Sequence, residues 1–386
     1  MRPTVEAIAV DMGVKEHAQN LAVSRRVSAS RVGRVRDLHG MRNGIKKAII
    51  IGAVILLAAG LVIKTLYDAG HFRAITPHCG CSCVKVTGLP GPEDITVDAA
   101  RGIAFISSDD RRAALAGRPV QGAIYGLNLQ EERGKAVSLT ADFGREFHPH
   151  GISLYKSAAG ETLLFAINHT TAGNFVEIFE YRNKKLCHRE SISHPLMHSP
   201  NDLVAVGPRS FYASNDHGNR SEWGRALEEY LQLGRSSVVY FDGSDMRIAA
   251  EGFAYANGIQ VDRSGTRLYV ATTIGRSLHL FARDIPTGKL TKERDISLGT
   301  GADNIEIDAD GNLYIACHPK LLAFSAHTKN RARPSPSQVL KISFSTADRY
   351  AIKEIYLNDG KEISGSSTAA PFRDGFLVGQ VFEDYI

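Results

Sequence analysis

The sequence predicts an all-β protein: a six-bladed β-propeller with an N-terminal transmembrane helix and a helical lid insertion. Three observations point to this. From about residue 84 the chain is made of short apolar runs broken by Gly, Pro and Asp, with few helical periods. Those runs fall into six similar units whose starts lie about 46 to 62 residues apart, the length of a four-stranded propeller blade. Ahead of them, Ala48 to Ile63 is sixteen residues without a charge.

Charge separates the parts. Residues 1–47 hold ten Lys/Arg against four Asp/Glu, whereas the remaining 339 residues hold 36 against 37. The net charge of +5 therefore belongs to the N-terminal segment. The near-neutral remainder carries no nucleic-acid footprint. Residues 1–47 are polar, Arg-rich and without strong periodicity, and are expected to form a disordered, basic cytoplasmic tail. Met41 offers a second possible start, which would keep the basic flank Arg42, Lys46 and Lys47.

Residues 48–67 read as a transmembrane anchor. Lys64 can snorkel, and Leu66 and Tyr67 extend the apolar character. The alternative is a signal-peptide core that is later removed, but no small-x-small cleavage site follows cleanly. The basic flank precedes the helix, so the N-terminus is expected in the cytoplasm and the body on the exported side.

Residues 68–83 form a linker containing Cys79, Cys81 and Cys83; Cys187 and Cys317 stand apart. The cluster does not have standard zinc spacing, and no second cluster completes four ligands. A metal site, a disulfide or an incidental role all remain open.

Residues 84–386 carry the repeat. Its units begin at Gly91-Pro92-Glu93-Asp94-Ile95, His148-Pro149-His150-Gly151-Ile152, Asn201-Asp202-Leu203, Ala256-Asn257-Gly258-Ile259, Asp303-Asn304-Ile305 and, more weakly, Gly365-Ser366-Ser367-Thr368. Each start is followed by a second apolar run, such as Leu163 to Asn168 or Phe211 to Asn215. A single blade cannot bury its own faces, so the ring must close on itself. The main helical interruption is Ser221 to Leu233, with Ser221 as its cap and Trp223, Leu227, Tyr230 and Leu231 at helical spacing. Inserted between blade strands, it lies on a propeller face and is a candidate lid.

The repeat puts Glu93, His150, Asn201, Asn257, Asp303 and Asn304 at equivalent places, the start of the innermost strand at one mouth of the central tunnel. One Asn-Asp pair before a strand is ordinary turn chemistry. Five units sharing polar residues there is not. Carboxylates and amide oxygens make a set of oxygen donors, which suits a hard cation such as Ca²⁺ rather than zinc or copper.

These residues carry a resemblance. Glu93-Asp94, His148-Pro149-His150-Gly151-Ile152-Ser153, Asn168-His169, Asn201 to Pro208, Asn215-Asp216-His217, Ala256-Asn257-Gly258-Ile259, Asp303-Asn304-Ile305 and Cys317-His318-Pro319 resemble, in order, motifs of the paraoxonase/arylesterase family of calcium-dependent lactonases. The similarity covers roughly residues 81–382. It implies two Ca²⁺ ions. A catalytic ion would be bound by Glu93, Asn201, Asn257, Asp303 and Asn304. A structural ion in the tunnel would be bound by Asp94, Asp202 and the main-chain oxygen of Ile152. It also implies a histidine dyad, His150 as general base on a water and His169 orienting it or relaying the proton. His217 and His318 sit at the same blade mouths and are candidate pocket residues.

The sequence departs from the family in two respects. The family ties the start of its propeller to a cysteine near the C-terminus; Cys81 resembles the first partner, but no cysteine follows Cys317 here, so that closing disulfide is not expected. The lid segment is charged, with Arg225, Glu228, Glu229 and Arg235, which argues against membrane docking through it. The expected function is calcium-dependent hydrolysis of a small-molecule lactone or aryl ester, with membrane association through the N-terminal helix. The alternatives are a related propeller acting on sugar lactones and a non-catalytic scaffold stabilised by calcium.

Overall fold

The computed structural model describes residues 6–386 except 81, 132, 133, 347 and 348. The chain divides into two compact units, residues 1–64 and 65–386. The first is dominated by helix α1, Glu6–Asp68. Its stretch Ile45–Asp68 has a mean hydropathy of 2.6 and is long and apolar enough to cross a membrane. The disorder expected over residues 1–47 is not found over the described part, which is helical from Glu6. The physical reason lies in propagation: no proline follows Pro3 before residue 77, and extending a helix costs far less than starting one.

The second unit is an all-β propeller. Five blades run in sequence order, each an antiparallel sheet. Their innermost strands are Pro92–Asp98, Pro149–Lys156, Pro200–Ala205, Ala256–Val261 and Gly301–Ile307. The count of six blades is corrected to five. The sixth repeat unit is only a two-stranded hairpin, Ser366–Phe372 with Gly375–Gln380. The ring closes beside it through short irregular pairing of the propeller's first and last residues. Val86 and Ile386 exchange main-chain hydrogen bonds of 3.1 and 3.0 Å, and Asp384 O accepts from Gly88 and Leu89 N–H. Pro90 interrupts the N-terminal partner between Leu89 and Gly91, whose N–H groups donate to Asp384 O and Glu383 O, and proline has no N–H to continue a ladder.

Apolar clusters fill the gaps between neighbouring sheets. Phe165 and Ile178 of blade 2 pack with Leu203 and Phe211 of blade 3, and Leu278 and Leu280 of blade 4 pack with Ile305 and Ile315 of blade 5. Burying side chains of this size contributes about 1.5–3 kcal/mol each. The stretch 68–83 is also tied down: Arg73 pairs with Glu354 at 2.7 Å, and His78–Cys79 adds a fifth strand to blade 5. Cys79 is disulfide-bonded, Cys83, Cys187 and Cys317 are free, and Cys81 lies outside the described residues.

Helix α2 (Arg111–Leu115), α3 (Glu222–Tyr230) and α4 (Leu321–Lys329) each sit between the second and third strands of blades 1, 3 and 5. The expected cap is present: Ser221 Oγ accepts from Gly224 N–H at 3.2 Å.

The innermost strands share one defect. In all five blades, and in the hairpin, the ladder register slips at the strand start, between Pro92 and Asp94, Pro149 and Ile152, Pro200 and Leu203, Ala256 and Ile259, Ala302 and Ile305, and Ser366 and Thr368. A bulge re-aims side chains that a regular strand would send into the sheet. Gly151 and Gly258 let neighbouring bulges approach. A Cβ on Gly151 would lie 2.5 Å from Asp202 Cα, and one on Gly258 would lie 2.4 Å from Asp303 O. Gly258→Ala is therefore expected to cost about 1–3 kcal/mol by overpacking against main chain. Gly144→Ala, with nothing within 4 Å, should stay within about 0.5 kcal/mol. Thermal or denaturant unfolding of both variants checks this; equal stability would show that the bulges have room to move apart.

Candidate functional site at the propeller mouth

The bulges deliver Glu93, Asp94, Asn201, Asp202, Asn257, Asp303 and Asn304 to the axis, all buried. Two aspartates stitch one blade to the next. Asp94 Oδ2 accepts from Ile152 N–H at 2.8 Å, and Asp202 Oδ2 accepts from Ile259 N–H at 2.9 Å. Their Oδ1 atoms accept from Ile95 and Leu203 N–H. Ile152, expected to offer its main-chain oxygen, thus presents its N–H to Asp94.

Above them the amides are oriented. Asn304 Nδ2 donates to Glu93 Oε1 at 2.9 Å, and Asn257 Nδ2 donates to Thr273 Oγ1 at 3.0 Å. A carboxylate only accepts, so Asn304 must turn its NH₂ toward Glu93 and its oxygen away. Glu93 Oε2, Asn201 Oδ1, Asn257 Oδ1 and Asn304 Oδ1 are buried without a hydrogen-bond partner. Buried acceptors in native proteins are seldom left in this state. Among the described residues no three His, Cys, Asp or Glu side chains group as a metal cluster; the axial set is rich in amides instead.

Burial pushes the Glu93 carboxyl well up, with Asp94 and Asp303 adding repulsion and Arg111 opposing it. Burial likewise raises Asp94 to about 6 and, with repulsion from Asp94, raises Asp202 well above the usual carboxylate range. These carboxyls resist holding negative charge together in one low-dielectric tunnel.

His150 and His169 are brought together: His150 Nδ1 lies 3.0 Å from His169 Nε2, and His150 Nε2 lies 3.7 Å from Glu93 Oε1. Asn174 continues the chain, its Oδ1 2.8 Å from His169 Nδ1 and its Nδ2 donating to Met197 O at 3.0 Å. The Asn174 amide is fixed by that carbonyl, so His169 Nδ1 carries the proton. His169 Nε2 then accepts from His150 Nδ1–H, which leaves the His150 Nε2 lone pair facing the mouth. Burial first, then the Arg111 charge, lowers the His150 imidazole; burial also lowers His169 against its bond to Asn174. Both favour the neutral rings that this hydrogen-bond order requires.

Of the other candidates, His318 belongs to this site, its Nε2 2.7 Å from Asp303 Oδ2 and its ring stacked on Phe324. Burial pushes the Cys317 thiol well up. His217 lies further out, under α3. Sequence reasoning missed Asn174 and Arg111. Arg111 donates to Gly91 O and Pro149 O at 3.0 and 3.2 Å, at the bulged starts of blades 1 and 2. Neither residue lies in the repeating motif, and only the hairpin turn after His169 hints at Asn174.

His217 joins α3 to its blade. Nδ1 lies 2.8 Å from Asp216 Oδ1 and Nε2 lies 3.0 Å from Glu229 Oε1. Glu228, also on α3, accepts from Gly218 and Asn219 N–H at 3.0 and 2.8 Å. Burial alone would lower the His217 imidazole; the two carboxylates outweigh it and raise it to about 9. A folded value above the unfolded value of about 6.5 means that this attraction is complete below about pH 6.5. It is lost as pH rises through about 9. Trp223, the only tryptophan, is on α3 and 83% exposed. Its fluorescence anisotropy is expected to fall between pH 7 and 9.5, and His217→Asn should remove that transition. A flat profile in the unsubstituted protein would mean that Glu228 alone holds the helix.

Comparison with known proteins identifies the group. The family model described as Arylesterase matches residues 82–386. Rat serum paraoxonase/arylesterase 2 is 33% identical over 313 residues, covering 78% of this chain and 87% of its own. Human serum paraoxonase/arylesterase 1 is 31% identical over 347 residues, covering 86% and 96%. Among solved structures, a gluconolactonase from Xanthomonas campestris aligns with a TM-score of 0.47 at 15% identity over 80% of this chain and 96% of its own. The chain belongs to the arylesterase family and is a hydrolase of that family.

Proposed function

We propose that this hydrolase cleaves lactones and aryl esters at a calcium ion held on the propeller axis. The observation that carries the reading is the set of buried, unpartnered oxygens Glu93 Oε2, Asn201 Oδ1, Asn257 Oδ1 and Asn304 Oδ1. They are hard donors drawn from four different strands, the chemistry calcium prefers. Asp303 would complete the set with the oxygen not bonded to His318. A second ion, structural, is proposed deeper in the tunnel at Asp94, Asp202 and the Ile152 carbonyl. It is supported by the charge argument: two buried carboxyls, bonded by main-chain N–H groups and by no Lys or Arg side chain among the described residues.

Bound calcium would polarise the substrate carbonyl and stabilise the oxyanion that develops on it. The chain's own residues supply the rest. Asn174 fixes the His169 tautomer, His169 fixes that of His150, and His150 Nε2 is left as the acceptor for a proton from water. The relay ends at Asn174, which accepts a hydrogen bond but cannot take the proton, so charge is shared within the dyad. Arg111, held at the bulges of blades 1 and 2, keeps both rings neutral before reaction.

The segment Ile45–Asp68 is proposed as a single-pass anchor, supported by its hydropathy and by the basic residues Arg42, Lys46 and Lys47 ahead of it. The full chain is expected to stay in the membrane pellet after alkaline carbonate washing; release into the supernatant would refute anchoring.

Hydrolysis of phenyl acetate and of an aliphatic lactone should stop on exhaustive chelation and return with calcium. His150→Gln should lower kcat by about 10²-fold or more while leaving the calcium dependence of the melting temperature intact. Turnover that survives calcium removal would reject the metal reading. A fully active His150→Gln would reject the dyad alone.

A further inference from the structure

We infer that the substrate of this hydrolase carries a carboxylate, and that a basic cavity beside the imidazole pair receives it; the inference rests on the hydrolase reading above. The cavity, about 440 Å³, lies between the blade 2 hairpin, the segment 193–198 and α3. Asn174, His194, Met197, His198, Arg220 and Arg225 line it, and no carboxylate does. Asn174 belongs to both places: it walls the cavity and bonds His169 Nδ1 at 2.8 Å. A substituent reaching outward from a carbonyl at His150 would pass His169 and enter the cavity.

The polar groups suit an anion. His194 Nδ1 accepts from Leu196 N–H at 3.2 Å, so its ring proton is on Nε2, a donor. Arg225 uses Nε on the Asn219 carbonyl at 3.2 Å, which leaves its terminal nitrogens. Asp216, the carboxylate that feels the Arg225 charge, is already bonded by Ser199 Oγ and His217 Nδ1. His198 spends both ring nitrogens on the Leu196 and His217 carbonyls, at 3.2 and 2.8 Å. Two guanidiniums and the His194 Nε2–H, with no carboxylate in the lining, attract a carboxylate in preference to a neutral arm. Met197, buried at the cavity floor, offers an apolar surface for the methylenes that join that group to the ester.

The test uses the full chain and two matched esters, phenyl acetate and the monophenyl ester of succinic acid, with kcat/KM measured for each. The acidic ester is expected to be favoured by about tenfold at low salt. That ratio should decline in 0.5 M NaCl and fall about fivefold for each arginine removed in Arg220→Gln and in the double variant with Arg225→Gln. Succinate itself should inhibit phenyl acetate hydrolysis competitively, and less so in the double variant. A ratio unchanged by the substitutions overturns the pocket while phenyl acetate turnover leaves the hydrolase standing. A protein that cleaves neither ester loses both readings.

Discussion

The structure depends on a register slip repeated at the start of every innermost strand. A regular ladder would alternate side chains between the two faces of each blade, into the apolar gaps. The slip instead turns Glu93, Asn201, Asn257 and Asp303-Asn304 toward the axis, where four oxygens are left without partners. Two pairs of neighbouring bulges, blades 2 and 3 and blades 4 and 5, can approach because Gly151 and Gly258 lack a Cβ. Stability and chemistry are thereby drawn from the same few residues: Asp94 and Asp202 spend their oxygens on main-chain N–H groups, two of which belong to the next blade.

The electrostatics follow from that crowding. Carboxyls this close in a dry tunnel are costly as anions, and main-chain N–H bonds offset only part of the penalty. A divalent ion would turn the repulsion into attraction, consistent with a ring whose inner face is built from oxygen. The imidazole pair stands on the other side of this balance. Its rings are kept neutral by burial and a fixed guanidinium, and its proton order is set from outside by an asparagine whose amide has one permitted orientation.

Much of this was legible in the sequence, for a physical reason. A residue that recurs at the same place in successive units reports a shared backbone feature, so the axial set could be read from spacing, whereas the pairing of His150 with His169 came only from the family resemblance. The sixth blade could not. Its inner hairpin has the repeat, but its outer part depends on how the segment around Pro90 pairs with the last residues, which repetition does not reveal. Helicity over residues 6–47 was likewise hidden, because neither charge nor lack of periodicity forbids a helix that grows out of a stable neighbour. Arg111 and Glu229 act through partners 12 to 38 residues away, and no local pattern marks them; Asn174 faces His169 across the hairpin, five residues on, outside the repeating motif.

The three short helices all enter their blades at one joint, between the second and third strands, on the side where the axial residues emerge. The second strand has already finished its work at the axis when the chain leaves for the helix, and the third resumes on the same apolar gap. Apart from Arg111, which α2 sends back to the bulges of blades 1 and 2, segments at this joint can therefore be lengthened, shortened or recharged with the bulges left in place. Within such an architecture, selectivity for new substrates can evolve by exchanging surface inserts while the ring and its oxygen-lined axis are inherited unchanged.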